Sequence, residues 1–214
     1  MSQQTLELPP GLAYDGPLTE AASGGAEYEW VKYDKVKQYT NAFVILDDKK
    51  VLLGLKKRGF GMGLWNGFGG KVDPGETPVE AAVRELQEEA GITAPLQQCG
   101  TLFFVVDGVD TAFNISVFSA YEYTGTITES DEMRPEWFSI QKSMLPPHHP
   151  LTTIDHREAS ESATLPPVPL QTMWADDEFW MPLMFARRYF VGRADFGADN
   201  KMRRWWFAAQ PTHA

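Results

Sequence analysis

The sequence predicts a single α/β domain. Two observations carry that expectation: four short runs rich in β-branched and aromatic residues, each bounded by turn residues, and a capped helical segment lying between the second and third of them. The length agrees, since 214 residues with 43% hydrophobic and 22% charged content fill one core well and two poorly.

Residues 1 to about 27 are rich in Gly, Pro, Ala, Ser and Glu with little periodicity. This reads as an N-terminal extension, residues 1–37, either poorly ordered or laid on the surface as an arm, ahead of a domain spanning 38–210. The strand runs are YTNAFVIL (39–46), KKVLLGLKK (49–57), TLFFVVDG (101–108) and TAFNISVFSAYEY (111–123), with Asp47 and Asp48 forming a tight connection between the first two. Thr77, Pro78 and Glu80 combine an N-cap, a proline at the first helical position and a capping box, and Gly91 supplies a C-terminal cap, so a helix spans 78–90. A Pro-rich polar stretch at 144–170 lacks any apolar period and reads as an inserted loop; its His148, His149 and His156 are assigned no role. WADDEFWMPLMFARRYF (174–190) predicts a second helix with Pro182 in or near its first turn, and 193–209 a closing hairpin around GADN.

The formal charge of −10 and a pI near 4.9 disfavour broad contact with nucleic-acid polymers or anionic membranes. A polyanionic partner then needs a local basic site or a metal. Cys99 is the only cysteine, so no internal disulfide forms and a reducing compartment is permitted. With no signal-peptide pattern at the start and no run of transmembrane length, the expectation is a soluble cytoplasmic protein, compatible also with nuclear or mitochondrial pools.

GGKVDPGETPVEAAVRELQEEAGI, residues 69–92, holds six carboxylates, three of them crowded as Glu85, Glu88 and Glu89. Val79, Val83, Leu86 and Ala90 recur at helical spacing and predict the buried stripe, which sets the three acids in one arc beside it. One reading is a solvated acidic face with Arg84 paired to Glu88. The other is a metal site, favoured because anions near a helix C-terminus oppose the dipole, basic partners are scarce nearby, and a loop with seven glycines (58–76) precedes the helix. An all-oxygen donor set suits Mg²⁺ or Mn²⁺.

Gly70, Glu76 and the run Arg84-Glu85-Leu86-Gln87-Glu88-Glu89-Ala90-Gly91-Ile92 resemble a complete Nudix box. The resemblance implies an α/β/α sandwich with a mixed central sheet and metal-dependent hydrolysis of a diphosphate linked to a second moiety. It also implies that Glu85, Glu88 and Glu89 are metal ligands, that one of them assists deprotonation of water, and that Arg84 orients the group. Residues 51–72, 129–138 and 173–183 are further similar to the animal oxidised purine nucleoside triphosphate hydrolases, which act on 8-oxo-dGTP and 2-oxo-dATP. By that likeness Glu132 and the Gly69 carbonyl join the metal site. Asn41, Lys56, Phe60, Asn66, Phe68, Gly69, Gly70, Lys71, Phe104, Trp174, Asp176 and Asp177 would line the pocket of a small-molecule nucleotide, in a chain expected to act as a monomer.

Trp174 offers a stacking face and Asn66 both a donor and an acceptor. Two adjacent aspartates in an aromatic pocket repel and are partly desolvated, so one stays protonated near neutral pH and donates while the other accepts. Against this, Asp176 and Asp177 would serve equally as helix caps, and Trp174 as core, as expected for Trp205 and Trp206. Asn41 stands where the animal enzymes carry a threonine, and the arginine they carry before Trp65 is missing. Other Nudix substrates, such as ADP-ribose, and a non-catalytic nucleotide-binding module remain alternatives.

Overall fold

The computed structural model describes residues 6–145, 165–199 and 201–211. His148, His149, His156 and most of the expected insertion lie outside the described residues.

Eleven strands and two helices are formed by the described residues: β1 (Thr19–Gly24), β2 (Lys35–Leu46), β3 (Lys50–Lys56), β4 (Trp65–Asn66), α1 (Pro78–Ala90), β5 (Ile92–Thr93), β6 (Gln97–Val106), β7 (Thr111–Ala120), β8 (Thr124–Gly125), β9 (Met133–Ser139), α2 (Asp177–Phe185), β10 (Phe190–Phe196) and β11 (Met202–Ala209). The main sheet runs β1-β11-β10-β6-β7-β2-β3-β4, with β9 on the other edge of β3. It is mixed: β2–β7 and β6–β10 pair in parallel, the rest antiparallel. Antiparallel pairing of β2 and β3 stops at Val44↔Leu52, after which β3 takes β4 as its partner at Gly54↔Asn66. The segment 68–71 fills the opening through single bridges Ala42↔Phe68 and Tyr39↔Lys71. This fork in the sheet positions the functional site.

Alternation along the strands separates two cores. Phe43, Ile45, Val51, Leu53 and Leu102 pack against Trp180, Met181 and Met184 of α2. Ala42, Val44, Leu52 and Phe68 pack against Ala82, Leu86 and Ala90 of α1. One helix therefore covers each face.

The caps of α1 form as the sequence requires: Glu80 donates its backbone N–H to the Thr77 hydroxyl, Glu80 accepts from Thr77, Pro78 opens the helix, and Gly91 closes it at φ 72°. The buried face differs from the expected one. Ala81, Ala82, Leu86, Glu89 and Ala90 are buried, while Val79 is 41% exposed. Close approach of helix to sheet selects the small alanines, turning the seam away from Val79 and onto Glu89.

The second helix is shorter than expected, nine residues ending at Phe185, and Pro182 lies inside it rather than in its first turn. Arg187 at φ 54° ends the helical path, and the chain enters β10, whose residues are buried throughout. β9 went unread because Pro135 and its charges disguise an edge strand.

The N-terminal residues do more than trail along the surface. β1 extends the sheet beside β11, and Leu6, Leu8, Leu12, Tyr14, Leu18 and Trp30 cover Val191, Trp206 and Ala208 on the half of the sheet that α1 leaves open. Arg193, fully buried, ties this arm down: it bonds Asp195 at 2.8 and 2.9 Å, donates to the carbonyls of Pro10 and Val31 at 2.6 and 2.7 Å, and lies over the Trp30 ring. Asp195 also accepts the Val31 N–H at 2.6 Å. Breaking a buried pair leaves its partner charged and unpaired, so Arg193→Leu is expected to lose about 3–5 kcal/mol in urea unfolding; a loss below about 1 kcal/mol would remove this clamp from the account.

Candidate active site

A cavity of about 780 Å³ opens at the fork in the sheet and runs from the acidic end of α1 to the start of α2. Its two ends differ chemically.

At the acidic end, Glu85, Glu88, Glu89 and Glu132 all line the cavity with Lys56, Lys71, Gly69 and Gly70. The three helix carboxylates are graded in exposure: the Glu89 side chain is 4% exposed, Glu85 16% and Glu88 60%. Basic partners are closer than expected. Arg84 holds Glu76 through Nε and Nη2 (2.7 and 3.0 Å) and Glu85 through Nη1 (2.8 Å), and reaches Glu88 at 3.4 Å. Lys56 Nζ bridges Glu132 (2.6 Å) and Glu89 (3.3 Å), and Arg58 adds a contact to Glu132 at 3.3 Å. Long-range folding supplies these cations, since Lys56 comes from β3 and Glu132 from the turn before β9. The Arg84 guanidinium thus ties Glu76, Glu85 and Glu88 to one point.

Glu89 is pushed up to about 7, because burial outweighs the attraction of Lys56 and the Gly69 N–H it accepts at 2.9 Å. Glu132, which takes the shorter Lys56 contact, is held below its usual range by that bond. Lys56 itself is raised: burial acts to lower it, but its hydrogen bonds and the charges of Glu132 and Glu89 prevail.

Among the described residues no three metal-ligating side chains converge as a ready cage. The donor set nevertheless fits a hard divalent cation. It is all oxygen, its most buried member is poorly compensated, and the Gly69 carbonyl has no hydrogen-bond partner among the described residues. Glycine is required at 69, where a Cβ would strike the Thr40 carbonyl, and at 70 a Cβ would push the Glu85 carboxylate from its place. Lys56 occupies the point between Glu89 and Glu132, so a cation held by that pair would have to displace it.

At the other end, Trp174 stacks on Phe60 (centroids 5.0 Å, 24°), so one face of Trp174 is partly taken by a side chain that is itself 78% exposed. Asp176 and Asp177 are buried at 1% and 2% exposure. Asp176 makes no side-chain cap and accepts Trp180 Nε1–H at 2.9 Å, with Oδ1 unpartnered; Asp177 accepts the Trp174 N–H at 3.1 Å. The capping role therefore fails for Asp176. Burial raises Asp176 to about 6, and burial with the neighbouring Asp176 charge drives Asp177 well above the carboxylate range. Asn41 donates to Asn66 at 2.9 Å, and both line the cavity with Phe104.

Phe68 is the exception among the expected pocket residues. It is fully buried among Ala82, Leu86 and Met133 in the α1 core and lines no part of the cavity, because its backbone pairs with Ala42 and turns the ring to the α1 face. Conversely, Tyr39, Leu102, Phe113, Ile115, Trp180 and Phe196 line the cavity and were not anticipated. The alternation of Leu102 with Phe104 and Phe113 with Ile115 held that signal, but the faces of β6 and β7 acquire meaning only once the sheet order is known. Trp206 is core at 7% exposure beneath the N-terminal arm, and Trp205, partly buried, packs on the opposite face of β11 against the α2-side core.

Three carboxylates raised by burial have one consequence for stability. A folded-state pKa above the ordinary value means that folding is disfavoured by ionisation, so the contribution is present below about 4.5 and lost as pH rises through about 7 for Glu89. Asp176 and Asp177 act with the same sign. In EDTA, the melting temperature is expected to fall across this window, and Glu89→Gln to flatten the fall; an unchanged pH profile in the variant would contradict the burial of Glu89.

Residues 35–161 match the NUDIX domain family. The chain is 41% identical over 154 residues to an oxidized purine nucleoside triphosphate hydrolase of Danio rerio, covering 72% of this chain and 83% of that protein. It is 38% identical over the same span to the Mus musculus protein of that name, with the same coverage. In three dimensions it is similar to a MutT protein from Bacillus halodurans, at TM-score 0.59 and 25% identity, covering 80% of this chain and 97% of that one. With the capped helix, the glycine cradle and the carboxylates in place, the chain belongs to the Nudix hydrolase family.

Proposed function

We propose that this protein hydrolyses oxidised purine nucleoside triphosphates, 8-oxo-dGTP and 2-oxo-dATP among them, to the monophosphate and pyrophosphate with Mg²⁺ or Mn²⁺. The supporting observation is a single cavity that joins a carboxylate cluster to an aromatic pocket holding two protonatable aspartates and an asparagine pair. The curated relatives carry an activity name of this kind. In this reading the chain acts as a monomer on free nucleotides in the cytoplasm.

Glu85, Glu88, Glu89 and Glu132 with the Gly69 carbonyl would hold the metal. When bound, the divalent ion neutralises phosphate charge and makes an attached water acidic. Arg84 keeps Glu85 and Glu88 in place through its own bond to Glu76, so the carboxylates meet the substrate already oriented. Lys56 is the cation nearest the Glu89–Glu132 pair and, once released from them, is free to turn to a phosphate oxygen. Trp174 and Phe60 supply stacking surface for the purine. Asp177, kept protonated, donates a hydrogen bond to the base, while Asp176 accepts one at its unpartnered Oδ1.

Glu89→Gln is expected to lower kcat by about two orders of magnitude or more without loss of fold, measured by pyrophosphate release with Mg²⁺ beside circular dichroism. Near-normal turnover would exclude Glu89 from the chemistry. Across 8-oxo-dGTP, 2-oxo-dATP, dGTP and ADP-ribose, the two oxidised purines are expected to give the highest kcat/KM. A lead for ADP-ribose would reassign the substrate. Thermal stabilisation by nucleotide with no product would make the chain a binding module.

A further inference from the structure

Asn66 lines the cavity, and its carbonyl oxygen is doubly committed within the chain. Asn41 Nδ2 donates to it at 2.9 Å and the Gly67 backbone N–H at 2.8 Å. An amide oxygen has two lone pairs, and both are then used. The Gly67 N–H can only donate, so Asn66 must turn its oxygen that way, and only the NH₂ of Asn41 can then meet that oxygen. The orientation of both amides follows from one backbone donor.

What is left over is informative. Asn41 Oδ1 is buried without a partner, packed against Gly67, where a Cβ would collide with it. A buried unpaired acceptor is unfavourable, and an apolar side chain of the same shape would avoid it. Among the described residues, the one hydrogen bond of the Asn41 side chain is to Asn66. Asn66 Nδ2, in turn, makes no hydrogen bond among the described residues, so donation is what this side chain has to offer a ligand.

We infer that Asn41 is a positioning residue that locks Asn66 as a hydrogen-bond donor toward the cavity, so that a bound base must turn a carbonyl oxygen or a ring-nitrogen lone pair to it. The inference rests on the nucleotide reading above and names the chemistry its base end selects.

Two variants test it. Asn41→Leu keeps the shape and removes the donor. Asn41→Asp keeps the shape and sets a carboxylate beside the Asn66 oxygen, favouring a turned Asn66 that shows its carbonyl. In two-dimensional ¹⁵N–¹H spectra of the ligand-free protein, the Asn66 NH₂ signals, assigned by their loss in Asn66→Leu, are expected to shift in Asn41→Leu. Unmoved signals overturn the lock whatever the substrate proves to be. In steady-state kinetics, Asn41→Leu is expected to raise KM about tenfold with kcat less affected. Asn41→Asp is expected to change the kcat/KM ratio of 8-oxo-dGTP, with its 6-carbonyl, to 2-oxo-dATP, with its 6-amino group, by about tenfold. Equal losses on both substrates carried by kcat would mark a structural role and overturn the proposal. A parent protein inert toward every purine triphosphate refutes the proposed function instead, and the spectra then decide Asn41 alone.

Discussion

The burial of the Glu89 carboxylate in the seam between α1 and the sheet is the constraint on which the site depends. Ala82, Leu86 and Ala90 fill that seam with apolar atoms, and Glu89 shares their face at 3% exposure. A carboxylate in such a place is unfavourable unless matched by a cation or donors. The Gly69 N–H and the distant Lys56 ammonium match it only in part, and its proton affinity rises accordingly. The sheet accommodates the arrangement by forking: β2 leaves β3 and the glycine segment 68–71 fills the opening, bringing the Gly69 N–H to the acid.

The same fork joins the two ends of the cavity. β3 carries Lys56 to the carboxylates, β4 places Asn66 beside Asn41 of β2, and the loop between β3 and β4 carries Phe60 to Trp174. A substrate with an anionic tail and a flat heteroaromatic head matches this layout, with Glu132 and Asp177 as its contrasting extremes: the bond from Lys56 lowers the pKa of one carboxyl, and burial raises that of the other well above the ordinary value.

On the far half of the sheet, burial is completed by the N-terminal arm. Arg193 and Asp195 point away from the cavity while Ala194 and Phe196 of the same strand face the α2 side, so a single strand supports both the arm and the cavity wall. The low-periodicity composition of residues 1–27 concealed this. Leucines and aromatics spaced for an irregular arm carry no helical or strand period, although they cover apolar surface as well as a regular element does.

By itself the sequence determined the strands at 39–46, 49–57, 101–108 and 111–123, the caps of α1 and the carboxylate spacing. Each of these depends on near neighbours, where the residue period and cap chemistry operate. Of the twelve residues named from the family pattern, all but Phe68 line the cavity. Only the tertiary structure decided that Glu89 lies in the buried seam while Val79 does not, and that Lys56 and Arg58 reach Glu132. The direction of the Asn66 amide was likewise settled only there. Those outcomes turn on which strand lies beside which, and on charges brought together across 33 and 76 positions of chain, a separation at which local periodicity carries no information.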